Sequence, residues 1–194
     1  MKSIKSKINI GTSQLHIVEQ CKKKDRRAQL QLYNQYCNGM LVVALRFITD
    51  KMEAEDVVQE SFIKAFSKLN QYKAEVSFGA WLKRIVINKC IDVLKAKKQR
   101  QIELQDHHLK IVDEPTDDDW TVDDNITLED VKVSIEALPE KYKYVVMLYL
   151  VEGYDHQEIA EILDITEVAS RTQLMRGKQK LKHVLKTIRN GTRS

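Results

Sequence analysis

From Ala28 to Ile48 the apolar positions Tyr33, Cys37, Leu41, Ala44 and Ile48 recur at three-and-four spacing, the period of one buried stripe on a helix. Asp50 and Glu53 then form a capping-box pair ahead of a second stripe, Ala54, Val58, Phe62, Ala65 and Leu69, so a helix is expected to start there. Beyond a polar break from Asn70 to Ser77, Trp81, Leu82, Ile85, Val86 and Val93 predict the inward side of a third helix running from Phe78 to the neighbourhood of Arg100. Periodicity fails after Leu104, where QDHHLKIVDEPTDDDW combines charge, a proline and few bulky residues, the composition of a flexible linker. Regular structure is expected again near Ile126. Pro139 suits the first turn of a helix that runs to Glu152, and Gly153 can take the left-handed conformation that ends it.

Asp155 and Glu158 repeat the capping-box spacing and open HQEIAEILDITEVASRTQL, which reads as two short helices bent around a turn. Ile159, Ala160 and Leu163 give the first an inward face, and Ile165 plugs the turn. Asp164 stands where the turn needs a left-handed residue, a conformation Asp tolerates. Thr166 can cap the second helix, whose inner seam is Ser170, Leu174, Gly177 and Leu181. Its outer side carries Arg171, Thr172, Met175, Arg176 and Lys178. A helix of this kind, entered N-terminus first, can set side chains on base edges while its cations neutralise phosphates.

Composition agrees with an all-α protein. The 194 residues include two prolines and six glycines, and 43% are hydrophobic, enough for packed cores. The organisation expected is a basic N-terminal segment, residues 1–25; a helical domain, 26–103; an acidic linker, 104–125; a helix-turn-helix domain, 126–189; and a tail, 190–194. Cys21, Cys37 and Cys90 lack the paired spacing of a zinc site or disulfide framework, which fits a reducing cytoplasm. No stretch approaches the roughly 20 apolar residues needed to cross a bilayer. Net charge is only +4, but from Glu167 to Ser194 eight Lys and Arg face one Glu, whereas from Gln105 to Asn125 eight Asp and Glu face Lys110 alone. Separate surfaces for different partners follow from such a distribution.

In EAEDVVQESFIKAF the apolar stripe leaves Asp56, Gln59 and Glu60 together on another side of the helix. On the following helix Arg84, Asn88 and Lys95 share a side that leads into the cationic run KAKKQR. Tyr72, in the polar loop, is the better candidate for stacking on a base, whereas Trp81 is expected in the core. Asp92 is expected to pair with Lys89 or Lys95.

At this point the sequence resembles the extracytoplasmic-function sigma factors of the sigma-70 superfamily, the small two-domain members that serve bacterial RNA polymerase. AEDVVQESFIKAF and FGAWLKRIVINKCIDVLKAKKQR resemble sigma region two, and LPEKYKYVVMLYLVEGYDHQEIAEILDITEVASRTQLMRGKQKL resembles region four. The resemblance implies that Asp56, Gln59 and Glu60 dock on the clamp of the polymerase core's largest catalytic subunit. It implies that Asn88 contacts the single-stranded minus-ten element, with Arg84 and Lys95 guiding its backbone, and that the loop from Gln71 to Ser77, which includes Tyr72, receives an unstacked base. Arg171, Thr172, Met175, Arg176 and Lys178 would then lie at the minus-thirty-five element of promoter DNA. Val168 and Ala169 depart from the family's common Gly-Thr. The family also implies an anti-sigma partner that can hold a cytoplasmic sigma factor at the inner membrane.

Two other readings compete. A stand-alone helix-turn-helix repressor would bind a palindromic duplex as a two-fold dimer. A metal-dependent enzyme would use His107, His108 and the neighbouring carboxylates. Neither accounts for the Asp56 to Glu60 face together with the Asn88 helix. No nucleophile, base and orienting group come together, so an enzyme, a metal site, a cofactor and a small-molecule substrate are not expected. The basic stretch CKKKDRR receives no role beyond solubility or general phosphate attraction.

Overall fold

A computed structural model describes residues 12–104 and 127–191, and every regular element among them is helical. The linker expected at 104–125 lies, after Leu104, outside the described residues, as do His107, His108 and the last residues of the tail. The chain divides into two compact units, Met1–Asp106 and His107–Ser194.

The first unit is built on four helices, α1 (Thr12–Lys22), α2 (Arg26–Leu45), α3 (Lys51–Ser67) and α4 (Phe78–Leu104). α1 lies outside the domain expected at 26–103, yet it buries Val18 and Cys21 and its Gln14 side chain bonds to the Tyr36 hydroxyl of α2. CKKKDRR spans the end of α1, the turn at residues 23–25 and the start of α2. Lys24 takes a left-handed φ of 63° there, and Asp25 caps α2 by accepting from the backbone N–H groups of Arg27 and Ala28 at 2.8 and 3.1 Å. A side-chain cap of this kind contributes about 1 kcal/mol.

α2 buries only the last part of the stripe expected from Tyr33 to Ile48. Its core residues are Ala28, Leu32, Met40, Val43 and Ala44, while Tyr33, Cys37 and Leu41 of the expected stripe line an open cleft against Glu55 and Gln59 of α3. The α3 stripe is buried as expected, from Ala54 through Val58, Phe62 and Ala65 to Leu69. Asp50 caps it, accepting from Glu53 N–H at 2.9 Å, but the Glu53 carboxylate turns away to Lys97 of α4 instead of closing a reciprocal box. On α4 the core side is Phe78, Leu82, Val86, Ile87, Cys90 and Ile91; Trp81, Ile85 and Val93 stand half-exposed.

The second unit contains α5 (Leu128–Glu136), α6 (Glu140–Val146), α7 (His156–Leu163) and α8 (Glu167–Gly191). Thr127 and Asp130 close a reciprocal box at the start of α5, whose hydrogen bonds hold the Asp130 carboxyl below the usual range. Pro139 is the residue before α6, and the helix continues through a π turn, Met147–Val151, to Gly153 at φ 78°. Gly177 of α8 packs under α6: a Cβ there would lie 2.5 Å from Val146 Cγ2 and 3.3 Å from Tyr142 Cβ. Only a residue without a side chain permits this approach.

Candidate polymerase-binding and nucleic-acid surfaces

The face of α3 opposite its core stripe presents Asp56, Gln59 and Glu60, all exposed. Met52 and Ile63, 77% and 70% exposed, extend the same face at either end, so it is a carboxylate and amide patch between two apolar side chains. These two residues escaped the sequence reading, although both are apolar and off the core stripe. Glu60 Oε2 meets Lys89 Nζ of α4 at 2.5 Å, and Glu53 meets Lys97 further along, so two ion pairs tie α3 to α4. Asp56 takes no part in these pairs.

The solvent side of α4 is a run of Trp81, Arg84, Ile85, Asn88, Asp92 and Lys95. Asn88 is half-buried, and its Oδ1 is buried with no hydrogen-bond partner among the described residues. An unpaired buried acceptor costs about 1–3 kcal/mol, so packing alone gives no reason for an amide there. Asp92 is exposed and does not hold Lys89, which is engaged by Glu60.

The aromatic assignments reverse. Tyr72, expected to offer its ring to a base, is 5% exposed and buries that ring against Phe78 and Trp81, with centroids at 5.8 and 5.3 Å. The cause is local. A 3-10 turn at Leu69–Gln71 draws the chain inward, and the Tyr72 hydroxyl finds a buried-side acceptor by donating to the Val76 carbonyl at 2.7 Å. Burial raises the phenol's pKa. Trp81, expected inside, is half-exposed on top of this aromatic base, in line with Arg84 and Asn88.

In the second unit the turn between α7 and α8 forms through local hydrogen bonds. Asp155 and Glu158 close a reciprocal box at α7, accepting from Glu158 N–H at 2.8 Å and Asp155 N–H at 3.1 Å. Asp164 is left-handed at φ 60°, ψ 53°, and Thr166 accepts from Ala169 N–H at 3.1 Å to start α8. Ser170, Leu174, Gly177 and Leu181 are buried, and His156 Nδ1 lies 2.9 Å from the Ser170 hydroxyl, locking one helix on the other. Arg171, Met175 and Arg176 are exposed, while Thr172 and Lys178 are half-exposed. Arg171 is held by Glu167 at 3.0 Å, and Lys178 leans over the Tyr149 ring at 5.5 Å.

Burial pushes the Cys90 thiol up to about 12 and, with the nearby Asp25 charge, Cys21 up to about 11, so both stay protonated at neutral pH. Among the described residues no cluster of three His, Cys, Asp or Glu is arranged to hold a metal ion, and no helix is long and apolar enough to cross a membrane.

These surfaces coincide with two family matches. Residues 32–100 match the model for sigma-70 region 2, and residues 128–181 match that for sigma-70 region 4. The chain is similar to the ECF RNA polymerase sigma factor SigW of Bacillus subtilis, 29% identical over 185 residues, with 88% of this chain and 96% of the relative covered. It is 28% identical over 183 residues to the RNA polymerase sigma-H factor of Pseudomonas aeruginosa, covering 89% of this chain and 93% of the relative. Among solved structures, the sigma factor RpoE in complex with the anti-sigma factor NepR from Bartonella quintana shares the fold at a TM-score of 0.54 and 20% identity, over 80% of this chain and 95% of that one.

Proposed function

The chain belongs to the extracytoplasmic-function sigma factors of the sigma-70 family, and from that premise we propose how its surfaces divide the work of promoter recognition. The α3 face of Asp56, Gln59 and Glu60, with Met52 and Ile63 at its ends, docks on the clamp of the polymerase core. The α4 side with Trp81, Arg84, Asn88 and Lys95 holds the separated minus-ten strand, and Arg171, Thr172, Met175, Arg176 and Lys178 of α8 take the minus-thirty-five duplex.

The observation that carries this reading is the adjacency of the first two surfaces, tied together by Glu60 and Lys89. A helix face of exposed carboxylates, Asp56 outside the ion pairs and Glu60 shared with Lys89, attracts a basic partner, and the next helix presents cations around an amide with an unsatisfied acceptor. Docking on a large enzyme makes the second and third contacts intramolecular, so weak DNA contacts gain occupancy that neither unit has alone. Capture of the unpaired strand favours the melted state because only that state is bound. The protein acts by binding, without a reaction of its own. An anti-sigma protein that covers these faces would silence it, and the solved relative bound to such a partner supports that expectation.

The test is complex formation and transcription with purified core polymerase. The intact chain should form a one-to-one complex and start transcripts on genomic fragments that core alone ignores. Asp56→Ala with Glu60→Ala should weaken core binding about thirtyfold, or about 2 kcal/mol. Undiminished binding by the double variant would remove the docking assignment.

A further inference from the structure

The first three turns of α8 present methyl groups on the side expected to face base edges. Val168 is 73% exposed and Met175 49%, with Thr172 between them. The Thr172 hydroxyl donates to the carbonyl of Val168 at 2.9 Å, so its proton is spent on its own helix, and what it still offers is an acceptor oxygen and a methyl. At 3.6 residues per turn these three side chains fall within about 60° of one another, with Arg171 on one flank and Arg176 on the other. Glu167 holds Arg171 at 3.0 Å, to the side of the stripe.

We propose that Val168, Thr172 and Met175 read the C5 methyl groups of thymine in the minus-thirty-five duplex, with Val168 as the principal contact. This rests on α8 being the upstream reader. The thymine methyl is the apolar group that a base pair displays on the floor of the major groove, and an aliphatic side chain pressed on it excludes water from both. Cations on both flanks suit the phosphate walls on either side of that floor, and the eight Lys and Arg against one Glu from Glu167 onward select a polyanion over an apolar protein partner. Val168 sits in the first turn, the part of such a helix that lies deepest in the groove. Its exposure puts nothing of the core at risk, so its identity is available for specificity.

Holoenzyme reconstituted from the full chain and core polymerase selects duplexes from a library randomised upstream of the start site. In the enriched duplex each thymine of the upstream element is replaced singly by deoxyuridine, which removes one methyl and nothing else. At one or more positions the wild-type holoenzyme should lose about fourfold in affinity, the equivalent of about 0.8 kcal/mol for one buried carbon group. Val168→Ala should bind the thymine duplex more weakly by a similar factor and lose nothing further at that position, whereas Val168→Ile should keep the uracil sensitivity. Unchanged thermal unfolding of both variants establishes that the fold is intact. The inference is overturned if the element contains no thymine, if every uracil duplex binds like its parent, or if Val168→Ala loses as much from uracil as the wild type at every position. In those cases α8 still stands as an upstream reader. If holoenzyme forms but no upstream element is enriched, that reading fails and takes the inference with it.

Discussion

The two helices proposed to meet DNA differ in what they expose. Along α4 the outward run is aromatic, cationic and amide, with Asn88 holding an unpaired acceptor and Trp81 resting on a buried aromatic base. Along the first turns of α8 it is Val168, Thr172 and Met175 between arginines. A separated strand offers base faces and Watson–Crick edges, which stacking rings and amides can hold. A duplex hides both and leaves groove edges and methyls. The difference also extends behind the surfaces: α4 is cross-linked by ion pairs to α3, whose exposed face is proposed to dock a protein partner, whereas α7 and α8 are closed on each other by their own hydrogen bonds.

The comparison breaks most visibly at Gly177. Gly177→Val drives carbon atoms against Val146 and Tyr142 of α6 and should destabilise the second unit by about 2–3 kcal/mol. Calorimetry should show an unfolding transition moved to lower temperature while that of the first unit stays, and holoenzyme should form without upstream protection.

Asn88→Ala should act in the opposite sense on stability and binding. It deletes the unsatisfied Oδ1, so the melting temperature should hold or rise. The affinity of holoenzyme for a single-stranded minus-ten oligonucleotide should fall about tenfold, which fluorescence anisotropy reads directly.

Tyr72→Phe removes the hydroxyl that closes the loop onto Val76 and should cost about 1 kcal/mol of stability in denaturant titration. Because the ring is covered, oligonucleotide affinity should stay within about twofold. A large loss of binding would restore Tyr72 as a base contact.

The smallest effect is expected at Asp164. Its φ of 60° suits glycine, so Asp164→Gly should relieve side-chain strain and lose about as much again to backbone entropy, for a net change of about 0.5 kcal/mol or less. DNA preference should not move. A shift in sequence preference would mean that the turn itself touches DNA.

The second unit was the more legible in the sequence because its signals are local. Capping pairs at Asp155 and Glu158, a left-handed Asp164 and the seam from Ser170 to Leu181 are each decided within a few residues. In the first unit, α3 was read in the right phase. On α2 the expected stripe is buried at Ala44 and, just past the helix, at Ile48, but Leu32, Met40 and Val43 are buried in place of Tyr33, Cys37 and Leu41, a tertiary outcome in a unit that includes α1, which the spacing within α2 does not carry. Trp81 and Tyr72 exchanged places for a related reason. Size and hydrophobicity favour burying tryptophan, but a tyrosine hydroxyl with an acceptor four residues away can be buried at little cost. Of the two partners expected for Asp92, Lys89 or Lys95, Lys89 goes instead to Glu60, which lies on another helix, beyond the reach of spacing rules.

The central claim is a grip at two points, one on melted strand through α4 and one on duplex through α8, from a single docked subunit. Footprinting of one promoter with permanganate and hydroxyl radical measures both at once. Wild-type holoenzyme should show reactive thymines downstream and a protected duplex upstream; Asn88→Ala should lose the first and keep the second, and Arg171→Ala with Arg176→Ala the reverse, all with core binding intact. If either set of substitutions leaves its own footprint unchanged, or the two surfaces prove to act on the same segment of DNA, the account is wrong.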